Sequence, residues 1–188
     1  MFIAQEKERT NIAEYIIYMY QLEDLIRAYQ FNIDVIREKI IKPQVKSDSF
    51  EKEAVKWYEE IIQEMKSRGL EREGHLHRIG EVITEMIYLH NTLLTVVKDK
   101  KYIGLLEAAE ENIEAFRQKS DLKQMHIVEV CFRALYMKFL MRLQGKEITD
   151  ASESAFDTMR ILLAYLTKGY HQMKKGDMSM FEADNSEA

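Results

Sequence analysis

The sequence predicts an all-α fold. A single proline and seven glycines leave few of the residues that punctuate turns and strand connections. Leu, Ile, Met, Glu and Lys, all good helix formers, recur throughout. Apolar residues also return every three or four positions in one segment after another, the spacing of a helix with one buried face. With 46% hydrophobic residues over 188 positions, the chain has enough apolar material for one substantial core.

The first segment is expected to begin at Thr10 or Asn11, either of which can cap a helix, and sets Ile12, Tyr15, Met19, Leu22, Ile26 and Tyr29 on one face. Its phase persists through Ile33, Ile36 and Ile40 to Pro43, which predicts one helix of about 45 Å or a pair bent near Asn32. A second helix starts at Asp48, with Glu51 three residues on as a capping box, buries Phe50, Ala54, Trp57, Ile61 and Met65, and ends at Gly69. A third runs from about His75 to Val97. A fourth, Lys101 to Lys119, sets Leu106, Ala109, Ile113 and Phe116 opposite Glu107, Glu110, Glu111 and Glu114. The fifth, entered at Ser120 or Asp121 and stopped at Gly145, is apolar nearly all round, which predicts a central or doubly covered position. The sixth enters at Thr149 or Asp150 and stripes Phe156, Met159, Leu163, Leu166 and Tyr170. No fixed repeat or dividing linker interrupts the pattern. The expectation is a single irregular bundle of about six principal helices over residues 1–175, followed by an acidic tail, 176–188, without a stable helix of its own.

Four of the 32 acidic residues and none of the 27 basic ones fall in residues 176–188, so the body is nearly neutral. Nucleic-acid binders concentrate Lys and Arg, and no such run is present; no nucleic-acid partner is expected. The most apolar stretch, Ile127 to Met141, is interrupted by Glu129, Arg133 and Lys138, and no membrane span is expected. The single cysteine admits no intramolecular disulfide, and the opening residues lack the pattern of a signal peptide, which together predict a cytoplasmic protein.

The stretch GHLHRIGEVITEMIYLH, Gly74 to His90, holds three of the five histidines and raises the question of a metal. Helical geometry argues against it. His90 sits at the centre of the apolar face, His77, Glu81 and Glu85 point to the opposite side, and His75 is about 22 Å from His90 along the axis. No Glu-x-x-His or His-x-x-x-His pair occurs in the chain. No metal or other cofactor is expected, and His90 reads as a core histidine hydrogen-bonded to a neighbouring helix. Nor does a Gly-x-Ser-x-Gly elbow or a phosphate-cradling glycine loop occur, so no catalytic residue is assigned. Cys131, inside an apolar run, reads as a buried thiol, and Tyr15, Tyr18, Tyr20 and Tyr29 as packing.

Polarity stands out in the two most apolar helices. Glu23 and Arg27 lie four apart on the first, and His126, Glu129 and Arg133 form a stripe on the fifth. Each Glu-to-Arg pair has the order that favours a contact within its helix. These two helices are expected to pack together centrally, so that Glu23, Arg27, Glu129 and Arg133 meet in one charge cluster. These five residues are the candidate ligand site.

The opening segment MFIAQEKERTNIAEYIIYMYQLEDLIRA, with the overall length and helical pattern, resembles a domain-of-unknown-function family of all-helical proteins found in Bacteroidetes. The resemblance covers essentially the whole chain. It implies a bacterial, cytoplasmic helical protein and carries no residue role with it. Two functions stay open at this point. One is a non-catalytic module that self-associates through surplus apolar surface on the first and fifth helices, with a further protein partner allowed. The other is a small-ligand protein or enzyme with a polar pocket around the five residues.

Overall fold

The structure, a computed structural model, describes residues 1–45 and 47–177, and within them the fold is all-α. Eight α-helices occur among the described residues: α1 (Phe2–Thr10), α2 (Ile12–Ala28), α3 (Ile33–Ile36), α4 (Asp48–Ser67), α5 (His77–Thr92), α6 (Lys100–Lys119), α7 (Ile127–Leu143) and α8 (Asp150–Lys174). The expected six is corrected at two places. Helix α1 precedes the predicted start; it buries only Ala4 and so has no apolar stripe to announce it. Asn11 then turns to an extended backbone, and its side chain accepts the Glu14 amide, capping α2.

The second extra helix arises from the break at Asn32. Gln30 and Phe31 both adopt left-handed backbone, and the Phe31 amide donates back to the Ile26 carbonyl at 3.0 Å, closing α2. The Asn32 side chain then accepts from the Asp34 and Val35 amides and opens α3. This helix widens into a π turn at Arg37–Ile41 and ends in a 3-10 turn, Lys42–Gln44, that contains Pro43.

Elsewhere, small changes of cap move the boundaries. Helix α4 is capped by Ser47, which accepts the Phe50 amide, while Glu51 pairs with Arg37 and forms no capping box. Phe50 remains about half exposed and Trp57 half-buried, with Tyr58 inside in their place. Helix α7 begins at Ile127, six residues after the predicted Asp121, because Asp121 is left-handed and His126 supplies the cap. Thr149 caps α8 as the sequence indicates.

Helix α7 runs through the middle, in contact with α2, α5, α6 and α8. Val128, Val130, Cys131, Phe132, Ala134 and Tyr136 are buried around its circumference. Its apolar surplus is therefore largely used within the molecule. Lys138, buried on the same helix, reaches Glu153 at 2.5 Å and Asp157 at 3.7 Å and ties α7 to α8. Cys131 is free and wholly buried, and burial pushes its thiol up to about 12. Helix α4 lies outside this group, against α3 and the π turn. No helix among the described residues is long and apolar enough to cross a membrane. Of the predicted acidic tail, Gly176 and Asp177 follow α8, and residues 178–188 lie outside the described residues.

Gln30 is exposed and held at a positive φ of 52°, where a Cβ is strained. Gln30→Gly is expected to raise stability by about 0.5–1 kcal/mol, read as a higher urea midpoint with unchanged slope.

Candidate functional site

The polar residues of α2 turn toward the connection that joins α4 to α5. Glu23 has no exposed surface. Its carboxylate accepts the Leu76 amide at 2.9 Å and lies 2.5 Å from His75 Nδ1, which donates to it. Arg27, one turn on, donates from Nε to the Leu70 carbonyl (3.0 Å), from one terminal nitrogen to the Gly74 carbonyl (2.6 Å), and from the other to Asp24 (2.8 Å). The connection is thus clasped at three backbone groups by two side chains. Gly74 sits at a φ of 91° with Leu70 so close that a Cβ would meet it at 2.8 Å, so this turn needs glycine.

The expected Glu23 to Arg27 contact does not form. Glu23 is taken by His75 and Leu76, and Arg27 pairs with Asp24 three residues back. Among the described residues no ion pair joins Glu23 or Arg27 to Glu129 or Arg133, so the two pairs do not close on one another. Tyr20 stands between them. Its ring stacks on His75 with centroids 3.8 Å apart, and the Arg133 guanidinium lies over the ring at 5.7 Å. Burial drives the Tyr20 hydroxyl far up; Arg133 opposes that shift, and Glu23 and Glu129 add to it. Tyr136 of α7 donates to Asp24 at 2.6 Å with its ring 5.5 Å from that of Tyr20. The structure therefore gathers Glu23, Glu129 and Arg133 around one tyrosine, with His75 beside it. His75 Nε2 is buried and has no hydrogen-bond partner among the described residues.

His126 stands apart, at the start of α7. Its Nδ1 accepts the Val128 amide at 3.2 Å, and its own amide donates to Glu129 at 3.0 Å, a reciprocal cap. His90 packs against it edge to face at 5.0 Å, with Nδ1 2.5 Å from the Tyr102 hydroxyl of α6. His90 is thus a core histidine bonded to a neighbouring helix, as the sequence indicates. Burial, and after it His126, holds the His90 imidazole down at about 4. His77 is exposed, 3.3 Å from Glu81, so the three histidines of the Gly74–His90 stretch have separate partners.

Two grooves lie elsewhere. One of about 580 Å³ between α2 and α8 is floored by Ala13, Ile17, Tyr18, Leu135, Leu163 and Ala164 and rimmed by Lys7, Glu14 and Arg160. A second, about 400 Å³, lies among α6, α7 and α8 and is rich in methionine, with Met137, Met141 and Met159. None of the five residues singled out from the sequence lines either groove. His75 and Tyr20 belong beside the five, and both were visible as residue types; their convergence depends on the path of residues 68–76, which no periodicity records.

Truncation separates these roles. Glu23→Ala is expected to cost about 3–5 kcal/mol, because it strands a buried amide and an imidazole. Arg133→Ala, removing a partly exposed cation over a ring, is expected to cost about 1 kcal/mol or less. Urea unfolding of both variants checks the ranking.

His90 also predicts a pH dependence. An unfolded histidine titrates near 6.5 and the folded one near 4, so between these values the unfolded chain binds more protons. Stability is then full above about 6.5 and falls as pH drops toward 4, by on the order of 2 kcal/mol after allowance for residual solvent screening. Denaturation curves at stepped pH are expected to show this slope, and His90→Gln to lose the greater part of it.

A family model described as Domain of unknown function (DUF4924) matches residues 1–177, and the chain belongs to that family. No curated protein and no solved structure gives a significant match.

Proposed function

We propose that this member of a family of unknown function is a non-catalytic helical interaction module that associates with a second copy of itself through the groove between α2 and α8. The observation that carries the reading is the groove. Its floor is mainly apolar and remains open after the core is complete, and Ile161 on the same helix is 43% exposed. The rim carries both signs of charge, Lys7 beside Glu14, and Arg160, which pairs with Asp157. A rim with both signs of charge allows a two-fold axis to set cations of one copy against acids of the other. The free, buried cysteine suits a reducing compartment, and we place the module in the bacterial cytoplasm.

A second reading assigns a small polar ligand to the residues around Glu23, Arg27, His126, Glu129 and Arg133. The observation that favours it is the unpartnered His75 Nε2 next to Tyr20 and Glu23. Against it stands the closure of Glu23 and Arg27 on the chain's own backbone. Native mass spectrometry separates the two readings, since a retained small molecule supports the second and a dimer alone the first.

Ala164 is exposed, so Ala164→Glu places a charge in the groove without disturbing the core. The wild type is expected to sediment as a dimer at tens of micromolar and Ala164→Glu as a monomer with an unchanged melting temperature. Met137→Glu, in the methionine-rich groove, serves as the control that leaves association intact. A wild-type monomer at high micromolar concentration removes the proposal.

A further inference from the structure

Helix α7 is the helix against which α2, α5, α6 and α8 all pack, and its first turn is held by an unusual cap. Most N-caps are Ser, Thr, Asp or Asn, whose oxygens accept at any ordinary pH. Here the acceptor is a ring nitrogen. The Val128 amide can only donate, so the His126 Nδ1 that receives it at 3.2 Å must be bare, which places the ring proton on Nε2. The Glu129 side chain takes the His126 amide in return.

We propose that His126 is an acid-sensitive clamp on the N-terminus of α7, closed by the neutral imidazole and released when the ring takes a second proton. Protonation turns Nδ1 from an acceptor into a donor facing another donor, so the Val128 bond is lost. It also puts a full positive charge at the positive end of the helix dipole. Both effects act in the same direction, and neither arises with a hydroxyl or amide cap.

The surroundings set the response. From α5, His90 lies 5.0 Å away, ring to ring. From α6, Arg117 adds positive charge, while Tyr102 lies behind His90 and is bonded to it. From α7 itself, Glu129 opposes them with a negative charge at the ring. Burial lowers the His126 imidazole from its ordinary value; Glu129 opposes the shift and Arg117 reinforces it. A lowered folded value means that the closed form is complete above the ordinary histidine range and is lost as pH falls through the lowered value. What opens is the first turn of α7 and the connection 120–126 ahead of it, which enters through the left-handed Asp121.

The test is hydrogen exchange on the full-length chain at pH 7.5 and at pH 5, each corrected for intrinsic rates and read at Val128, Glu129 and Val130. In the wild type, protection at these amides is expected to fall at least tenfold on acidification, more than at the middle of α8. His126→Asn keeps a capping oxygen that does not titrate, and its acid loss of protection at these amides is expected to be no larger than that at the middle of α8. His126→Ser is the second variant should the first fold poorly. Equal acid loss in the wild type and a folded variant, or no loss in the wild type, overturns the proposal. So does a nitrogen NMR spectrum at neutral pH showing the proton of His126 on Nδ1.

Discussion

A carboxylate with no access to water has to be answered by donors, or the fold does not hold. Glu23 is answered twice, by the Leu76 amide and by His75, and both lie in the segment that leads into α5. That requirement decides where α5 begins. Leu76 offers no side chain to cap the helix, and its own amide is held by a residue of α2. Arg27 extends the same hold to the Leu70 and Gly74 carbonyls, so the irregular stretch between α4 and α5 is shaped from outside by one face of α2. Helix α4, which has few other neighbours in the bundle, is positioned at this end by that clasp and by the contact of Arg78 with Glu64.

Much of the fold was legible because the caps were. Asn11 and Thr149 accept amides at helix starts, and Gly69 and Gly145 follow helix ends with left-handed backbone; the caps at Asn32 and Asp99 were not read as such. Helix α1 was not legible because a helix that buries one alanine leaves no periodic trace. The entry to α7 was not legible because histidine is rarely a cap, and Asp121 offered a more ordinary one. At the candidate site, the charged residues on α2 and α7 could be picked out, but their destinations could not. Glu23 and Arg27 bond to backbone amides and carbonyls, groups that every residue carries and that no pattern of residue types reveals.

The all-round apolar character of α7 likewise had two possible meanings. A helix with more apolar surface than one neighbour covers either faces another molecule or has several neighbours. Here four helices surround it, and its one buried lysine is neutralised by Glu153 and Asp157 on α8. A groove with an apolar floor remains between α2 and α8, and α7 itself still exposes Met137 and Leu143.

The place of Cys131 gives the molecule a built-in reporter. The thiolate is the reactive form, and a wholly buried thiol raised to about 12 is almost entirely protonated near neutral pH. A thiol reagent therefore meets it only when α7 separates from the helices around it. With one sulfhydryl in the chain, each labelling event corresponds to one excursion of the central helix into solvent. When reclosure is fast relative to labelling, the rate of modification measures the free energy of that excursion without denaturant.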